Sequence, residues 1–378
     1  MAQPSIQCVR CIQTDAFPGV TIDTEGVCSY CRTFEQRWGT RSAAPDEQAF
    51  LDILERARRR RPKYDALVGI SGGRDSCYLL HLAVKHFGMH VLAFTHDNGF
   101  LSDGARKNIE CMVRALSLEH RYISYDPDLI RRCYQGLIKN ACAELCMLCT
   151  NGPISAVNQL VLTENVPMVL MGFSARTEPT LPLEIHCGYD RRFLLDAVKP
   201  HVSPRDLACF KNSLLWMFYV TFVKRVPYVF LPEYVPWDDA QIGHLLAEKY
   251  GWHDYGHGKP HFDCLINPAV DYFIRRRLGV SKVNEKLSQM VRSNQISRQE
   301  ALARLAEEDP IEEPTASIQV LCERTGVTRA DLAPYFEGTT KDYHHFKSYT
   351  ALFRRFSWVF RLTHKFGYTS KDPYLKYR

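Results

Sequence analysis

No apolar run in this 378-residue chain reaches the roughly 18–20 residues that a membrane-spanning helix requires. The nearest, Leu214 to Val223, contains Tyr219 and Thr221 and is closed by Lys224 and Arg225, which predicts a buried helix or strand. The first residues, Met-Ala-Gln-Pro-Ser-Ile-Gln-Cys, lack the basic start and apolar stretch of a signal peptide. Repeats of fixed period and low-complexity tracts are absent as well. A formal net charge of +6 admits an anionic substrate but is no basic stripe of the kind that marks a nucleic-acid binder. The one dense cationic run, Arg58 to Arg61, is stopped by Pro62 and has no interleaved aromatics, so it reads as a solvated helix end. These absences predict a cytoplasmic protein with no membrane partner.

What is present is globular: 46% hydrophobic and 24% charged residues, in a chain longer than one ordinary domain needs. Three regions are expected: a Cys- and Gly-rich lobe (1–41), a segment of alternating strands and helices (42–202), and a mainly helical remainder (203–378). Fourteen cysteines in a reducing compartment are better read as metal ligands and buried thiols than as disulfides. Cys8-x2-Cys11 and Cys28-x2-Cys31, sixteen residues apart, have the double-knuckle spacing of a tetrahedral Cys₄ zinc site. Four thiolates fill the coordination sphere, so the metal would be structural; an iron site of the same geometry has the same spacing.

In the second region, an apolar run at 64–70 and strand-like segments at 90–95, 121–125 and 167–172 predict strands, with crossover helices between them. That order implies a parallel sheet covered on both faces, with ligands beyond the carboxyl ends of the strands. Ser71-Gly72-Gly73-Arg74-Asp75-Ser76 joins the first strand directly to the first helix. Adjacent glycines let an anion approach the backbone, and the following helix points its positive end at the turn. Serine hydroxyls add donors, and Asp75 suits either loop orientation or Mg²⁺ bound through water. The plainer alternative is a tight strand-to-helix turn that happens to carry serines.

This segment resembles the SGGxDS loop of the PP-loop ATP pyrophosphatases, and it lacks the Gly-Lys-[Ser/Thr] end of a Walker A loop. The resemblance implies a HUP-like α/β nucleotide-binding domain that binds ATP and Mg²⁺ and splits ATP between its α and β phosphates. AMP is loaded on a carbonyl oxygen of the substrate and then displaced by nitrogen or sulfur. It further implies that Ser71, Gly72, Gly73, Arg74, Asp75 and Ser76 hold phosphates, and that Thr95, Asp97 and Asn98 after the second strand hold the nucleoside. Gly172 would lie near the phosphates, and Arg176 is a catalytic candidate alongside Asp75, as a clamp on departing pyrophosphate. A surface arginine and a polar strand-end His96 are the plainer readings.

The segment from Cys8 to Cys31, with Gly26-Val27-Cys28-Ser29-Tyr30-Cys31, is similar to the opening of the N-acetyl sugar amidotransferases of bacterial surface-polysaccharide biosynthesis. Similar blocks recur at the phosphate loop, at His261-Phe262-Asp263-Cys264, at Leu278 to Lys282 and from Ser288 to Leu302. The pattern departs at Met171-Gly172-Phe173-Ser174, where those enzymes tend to carry Trp-Gly-Glu-Asn. The resemblance implies a sugar-nucleotide acceptor and a separate glutaminase supplying ammonia, because no Gly-x-Cys-x-Gly elbow occurs in this chain.

A second thiol group, Cys142-x3-Cys146-x2-Cys149, would share one face if helical, with Cys264 far downstream. By similarity to PP-loop enzymes that thiolate tRNA, Cys146, Cys149 and Cys264 would hold a [4Fe-4S] cluster, with Cys142 in reserve. Buried free thiols are the equal alternative. Asp263 and His261 are acid–base candidates only because they flank Cys264. Cys77, Cys111, Cys133, Cys187, Cys209 and Cys322 are expected in the core, and Phe356, Trp358, Val359 and Phe360 are expected to dock the C-terminal stretch on the body. The leading expectation is an adenylating amidotransferase acting on an N-acetylated sugar nucleotide. The alternative is a PP-loop sulfurtransferase acting on tRNA or a small molecule, and a regulatory nucleotide-binding module is the weakest reading.

Overall fold

The computed structural model describes residues 5–38, 46–60, 62–173, 181–188, 190–256, 262–308 and 312–365. At its centre is a five-stranded sheet of order β3-β2-β1-β4-β5, all neighbours parallel. The strands are β1 (Ala66–Gly69), β2 (Val91–Asp97), β3 (Glu119–Ser124), β4 (Val169–Met171) and β5 (Tyr228–Phe230). Leu67 sits between Leu92 on one side and Val169 on the other, which fixes β1 as the central strand.

Period-two alternation sorts β1 between two layers. Ala66 and Val68 face a layer that includes Leu80, Ala83, Ala105 and Leu246. Leu67 faces Leu160, Val161 and Val220 on the other side. The first layer draws on helices Glu47–Arg58, Arg74–His81, Asp103–Ala115 and Asp239–Tyr250, and the second on helix Met147–Thr163. The first four strands lie where the sequence segments place them. β5 does not announce itself: three residues between Pro227 and Pro232 are too few to show a period, and only their pairing with β4 makes them a strand. The sheet therefore takes one strand from beyond residue 202.

The chain leaves β1 to build β2 and β3 on one side, and later returns to build β4 and β5 on the other. The carboxyl ends of β1 and β4 thus flank the point where strand order reverses, the crevice in which such sheets hold ligands. The turn Ser71–Ser76 leaves β1 at that crevice, and Gly172 leaves β4 beside it.

A second core joins helix Pro127–Lys139 to helices Asn267–Leu278 and Thr315–Thr325, and includes Cys8, Cys11, Phe17, Cys28 and Cys31 from the N-terminal lobe. The fold is thus α/β, with a cysteine-bearing lobe and a helical C-terminal part packed on one another. Among the described residues no helix is long and apolar enough to cross a membrane.

Three packing expectations are corrected. Leu214–Val223 is helical, but Leu215 is 81% exposed and only Val220 among the ten is buried, because one side chain alone reaches the layer under the sheet. Phe356 and Trp358 are exposed rather than docked, since helices Thr350–Arg355 and Ser357–Lys365 sit on the surface and Phe353 and Phe360 take the inner positions. Of the scattered cysteines, Cys209 is exposed and Cys111 and Cys322 are half-buried.

Gly72 has a φ of +81°, and a Cβ placed on it would overlap the carbonyl oxygen of Ala105 in the next helix. Both strain and overlap would be forced on any other residue. Gly72→Ala is expected to lose about 1–3 kcal/mol of stability in urea unfolding; an unchanged midpoint would contradict this packing.

Candidate functional site

The turn after β1 is built from inside outward. The Gly72 carbonyl accepts from Asn108 Nδ2 (3.1 Å) and Trp252 Nε1 (3.0 Å), both buried. Asn108 is itself bound through its Oδ1 by the His253 amide (3.1 Å) and gives a second bond to the His253 carbonyl (2.9 Å). A carbonyl locked inward obliges the rest of the turn to face the crevice. Gly73 is the N-cap of helix Arg74–His81 and, having no side chain, makes no capping bond. The first turn of a helix directs its amides and the positive end of its dipole outward, the arrangement that receives anions.

The serines brace the turn. The Ser71 amide donates to Ser76 Oγ (3.2 Å), the Gly73 amide to Ser71 Oγ (3.3 Å), and Ser76 Oγ to the Gly73 carbonyl (3.0 Å). Arg74 and Asp75 pair at the rim (3.3 Å), and Trp237 Nε1 donates to Asp75 Oδ1 (3.2 Å). The Gly172 backbone packs so closely that a Cβ there would lie 3.0 Å from the Asp75 carbonyl. Arg176 and His261 lie outside the described residues.

At the end of β2, Thr95 is buried and its hydroxyl already joins the Ile70 carbonyl and His120 Nε2, both at 2.8 Å. Asp97 pairs with Arg106 (2.5 Å). Asn98 turns the other way: its Nδ2 donates to Cys149 Sγ (2.6 Å). His96 lies between Tyr125 and Gly152, and burial pushes its imidazole down to about 4, so it is neutral at pH 7.

The second cysteine group is only partly as expected. Cys142 is not helical; it is buried apart, next to the Glu144 carbonyl and under Tyr335. Cys146 caps helix Met147–Thr163 and Cys149 lies in its first turn, so three cysteines on one helical face is corrected to two. Cys264 lies near those two without reaching the spacing that shares one metal ion; Tyr134 and Lys282 lie close to them, and Lys282 pairs with Asp271 (2.9 Å). The Cys149 thiol is raised by its interaction with Cys264 and by burial, Cys264 is correspondingly lowered, and burial pushes Cys146 up to about 12. Among the described residues, Cys8, Cys11, Cys28 and Cys31 are the one group brought close enough to share a single metal ion.

Those four sulfurs lie within 4.8 Å of one another, with Cys8–Cys31 at 4.0 Å and Cys11–Cys28 at 3.7 Å. A tetrahedron of zinc–sulfur bonds has sulfur–sulfur edges of about 3.8 Å, so the cage fits a zinc or iron ion. Backbone amides of Gln13, Cys28 and Cys31 point at the sulfurs of Cys11, Cys8 and Cys28. Behind the cage, Arg292 is 3.7 Å from Cys11 Sγ, pairs with Glu285 (2.6 Å) and lies over the Tyr30 ring. Glu285 also accepts from Gln13, and Arg298 donates to the Cys11 carbonyl (3.0 Å) and Gln7 Oε1 (3.0 Å). The buried cation faces the excess negative charge that four thiolates leave on a divalent metal.

Residues that no local motif marks therefore complete each site: Asn108, Trp237 and Trp252 at the turn, Tyr134 and Lys282 at the second thiols, Glu285, Arg292 and Arg298 at the lobe. Trp252, Cys264, Lys282, Glu285, Arg292 and Arg298 all come from one stretch of sequence. That stretch, residues 249–363, matches the family described as LPS biosynthesis protein WbpG-like, C-terminal domain. The matched stretch thus reaches the glycine turn, the second thiols and the four-cysteine cage at once.

No curated protein gave a match. Among solved structures, the chain is similar to an NH₃-dependent NAD synthetase from Campylobacter jejuni (16% identity, 74% of this chain and 92% of that chain, TM-score 0.32). It is also similar to an NMN synthetase from Francisella tularensis (13%, 75% and 93%, 0.33). A third is the U34-tRNA thiolase NcsA from Methanococcus maripaludis with its [4Fe-4S] cluster (11%, 86% and 100%, 0.32).

Two outcomes test the metal cage. Without metal, the Cys8 thiol is pushed up to about 12 by its hydrogen bond to Cys11 and by burial, and Cys31 is raised by its bonds to Cys11 and Cys28. Both must lose protons to bind zinc, so affinity should fall as pH falls, by about 100-fold per unit near pH 8 in chelator competition. A pH-independent affinity would exclude thiolate ligation. Cys28→Ser should release zinc and expose residues 5–38 to protease; unchanged metal content and resistance would remove the cage from the account. Arg292→Met is expected to cost about 3–5 kcal/mol in denaturant unfolding, because Glu285 is left buried and unpaired.

Proposed function

We propose that this protein is an ATP-dependent adenylating amidotransferase acting on an N-acetylated sugar nucleotide. The observation that carries the reading is the uncapped glycine turn at the strand-order reversal, held by Trp252 of the WbpG-like domain. One element supplies a polyphosphate site, and the other ties it to a family of lipopolysaccharide biosynthesis.

In this reading the triphosphate lies on the turn, with Ser71, Gly73 and Ser76 bracing the backbone that receives it. Mg²⁺ would neutralise phosphate charge, and Asp75 at the rim is the residue placed to hold it through water. The acetamido oxygen attacks the α-phosphorus, the bond to the β-phosphate breaks, and pyrophosphate leaves with the charge that Arg74 and Arg176 would offset. Ammonia then adds to the activated carbon and AMP departs, which converts the acetamido group to an acetamidino group. Asp97 would border the nucleoside side of the crevice, whereas Asn98 is turned onto Cys149 and Thr95 ties the end of β1 to β2. Nitrogen would come from a separate glutaminase. A cytoplasmic location suits ATP and free thiols, and zinc in the cage would be structural.

One observation favours sulfur transfer as a second reading: Cys149, with Cys146 and Cys264 nearby, lies against Asn98 at the loop that closes β2. A [4Fe-4S] cluster there would supply an open iron for sulfide, with a small-molecule or tRNA acceptor. Broad visible absorbance lost in Cys146→Ala, with ATP cleavage dependent on sulfide, would select it.

The test of the first reading is release of AMP and pyrophosphate that requires both an N-acetyl sugar nucleotide and ammonia. A Cβ on Gly73 meets only Ser71 Oγ at 3.3 Å, so a larger residue fits the fold but fills the anion position. Gly73→Val is expected to lower turnover by 10²-fold or more with an unchanged melting curve. Normal turnover in that variant would refute the phosphate assignment.

A further inference from the structure

Two helical surface segments, 214–223 and 350–365, present apolar side chains that are exposed among the described residues. In the helical segment 214–223, Leu215 is 81% exposed, Phe218 57%, Tyr219 40%, Phe222 42% and Val223 56%. Leu215, Phe218, Tyr219 and Phe222 follow the i, i+3, i+4, i+7 spacing of one helical stripe. In helices Thr350–Arg355 and Ser357–Lys365, Leu352 is 43% exposed, Phe356 42%, Trp358 58% and Leu362 47%.

The two are rooted at one place. Just before the first, Arg191 donates to Asn212 Oδ1 (2.8 Å) and the Phe210 carbonyl (3.0 Å). Just before the second, the Tyr349 amide donates to Asp190 Oδ2 (2.6 Å). Successive residues, Asp190 and Arg191, therefore anchor the starts of both segments close together.

Their charge is of one sign. Residues 207–232 contain Lys211, Lys224 and Arg225 and no Asp or Glu. Residues 343–363 contain Lys347, Arg354, Arg355 and Arg361, again with no acidic residue. Aromatic and leucine side chains edged by cations are the composition of helices that lie in a bilayer interface. Ten residues are too few to span a membrane, so such helices would lie in its plane. Pairing with a second copy would set these like charges against each other.

We propose that the two helices form a peripheral docking surface for an anionic lipid bilayer. This revises the expectation of no membrane partner, and it does not depend on the nucleotide reading. The test is sedimentation of the full chain with phosphatidylcholine vesicles, with and without about 30% phosphatidylglycerol. The protein should pellet with the anionic vesicles and be released by salt. Phe218→Glu with Phe222→Glu, and separately Trp358→Glu, should each weaken binding tenfold or more with unchanged melting, because the side chains are exposed. Lys224→Gln with Arg225→Gln should also weaken it by about tenfold or more. Protein that stays in the supernatant at low salt would overturn the proposal. So would a dimer that the Phe218→Glu/Phe222→Glu variant dissociates, or a stable complex with a protein partner that the same variant abolishes while vesicle binding persists.

Discussion

The inward-turned carbonyl of Gly72 is the constraint from which the crevice follows. Two buried donors, Asn108 and Trp252, hold that oxygen, and leaving either donor without it would strand a polar group in the interior. With the carbonyl fixed, the left-handed conformation at Gly72 follows, the Ala105 backbone can pack against the turn, and Gly73 is delivered to the start of a helix with no cap of its own. The positive helix end is thus presented at the reversal point of the sheet by packing behind it rather than by any charged side chain in front.

Residues 249–363 act as the buttress for this arrangement and for the lobe at the other end of the chain. Trp252 reaches the turn, Cys264 and Lys282 reach the second thiols, and Glu285, Arg292 and Arg298 grip the cysteine knuckles. A buried ion pair is rarely a net source of stability, since desolvation offsets the attraction. Its use here is placement: Arg292 meets Glu285, Gln289, Tyr30 and Cys11 together, so the lobe can seat in one orientation. A metal cage too small for a core of its own gains one by sharing the core of the C-terminal helices.

Legibility differed by the range of the interaction. The phosphate turn and the knuckles are encoded within six and twenty-four consecutive residues, where glycines and thiols have few other uses in that order. β1, β2 and β4 show as apolar runs because both faces of a parallel sheet are buried, whereas β3 (Glu119–Ser124) lies at the edge and is largely exposed. β5 stays hidden because three residues carry no period, and Cys142 looks like a member of the thiol group until the chain turns away after helix Pro127–Lys139. The apolar segment 214–223 shows the difficulty in reverse: composition states that side chains are apolar, and it is silent on whether anything covers them.

By itself, then, the sequence determined the α/β alternation, the glycine turn after the first strand and the four-thiol knuckle pair, all of which depend on residues close along the chain. Only the tertiary structure decided that Asn108 and Trp252 clamp the turn, that Lys282 lies near Cys146 and Cys264, and that Arg292 closes the lobe. Those partners are separated by tens to hundreds of positions, and a hydrogen bond or ion pair of a few ångströms exists between them only after the helices have packed.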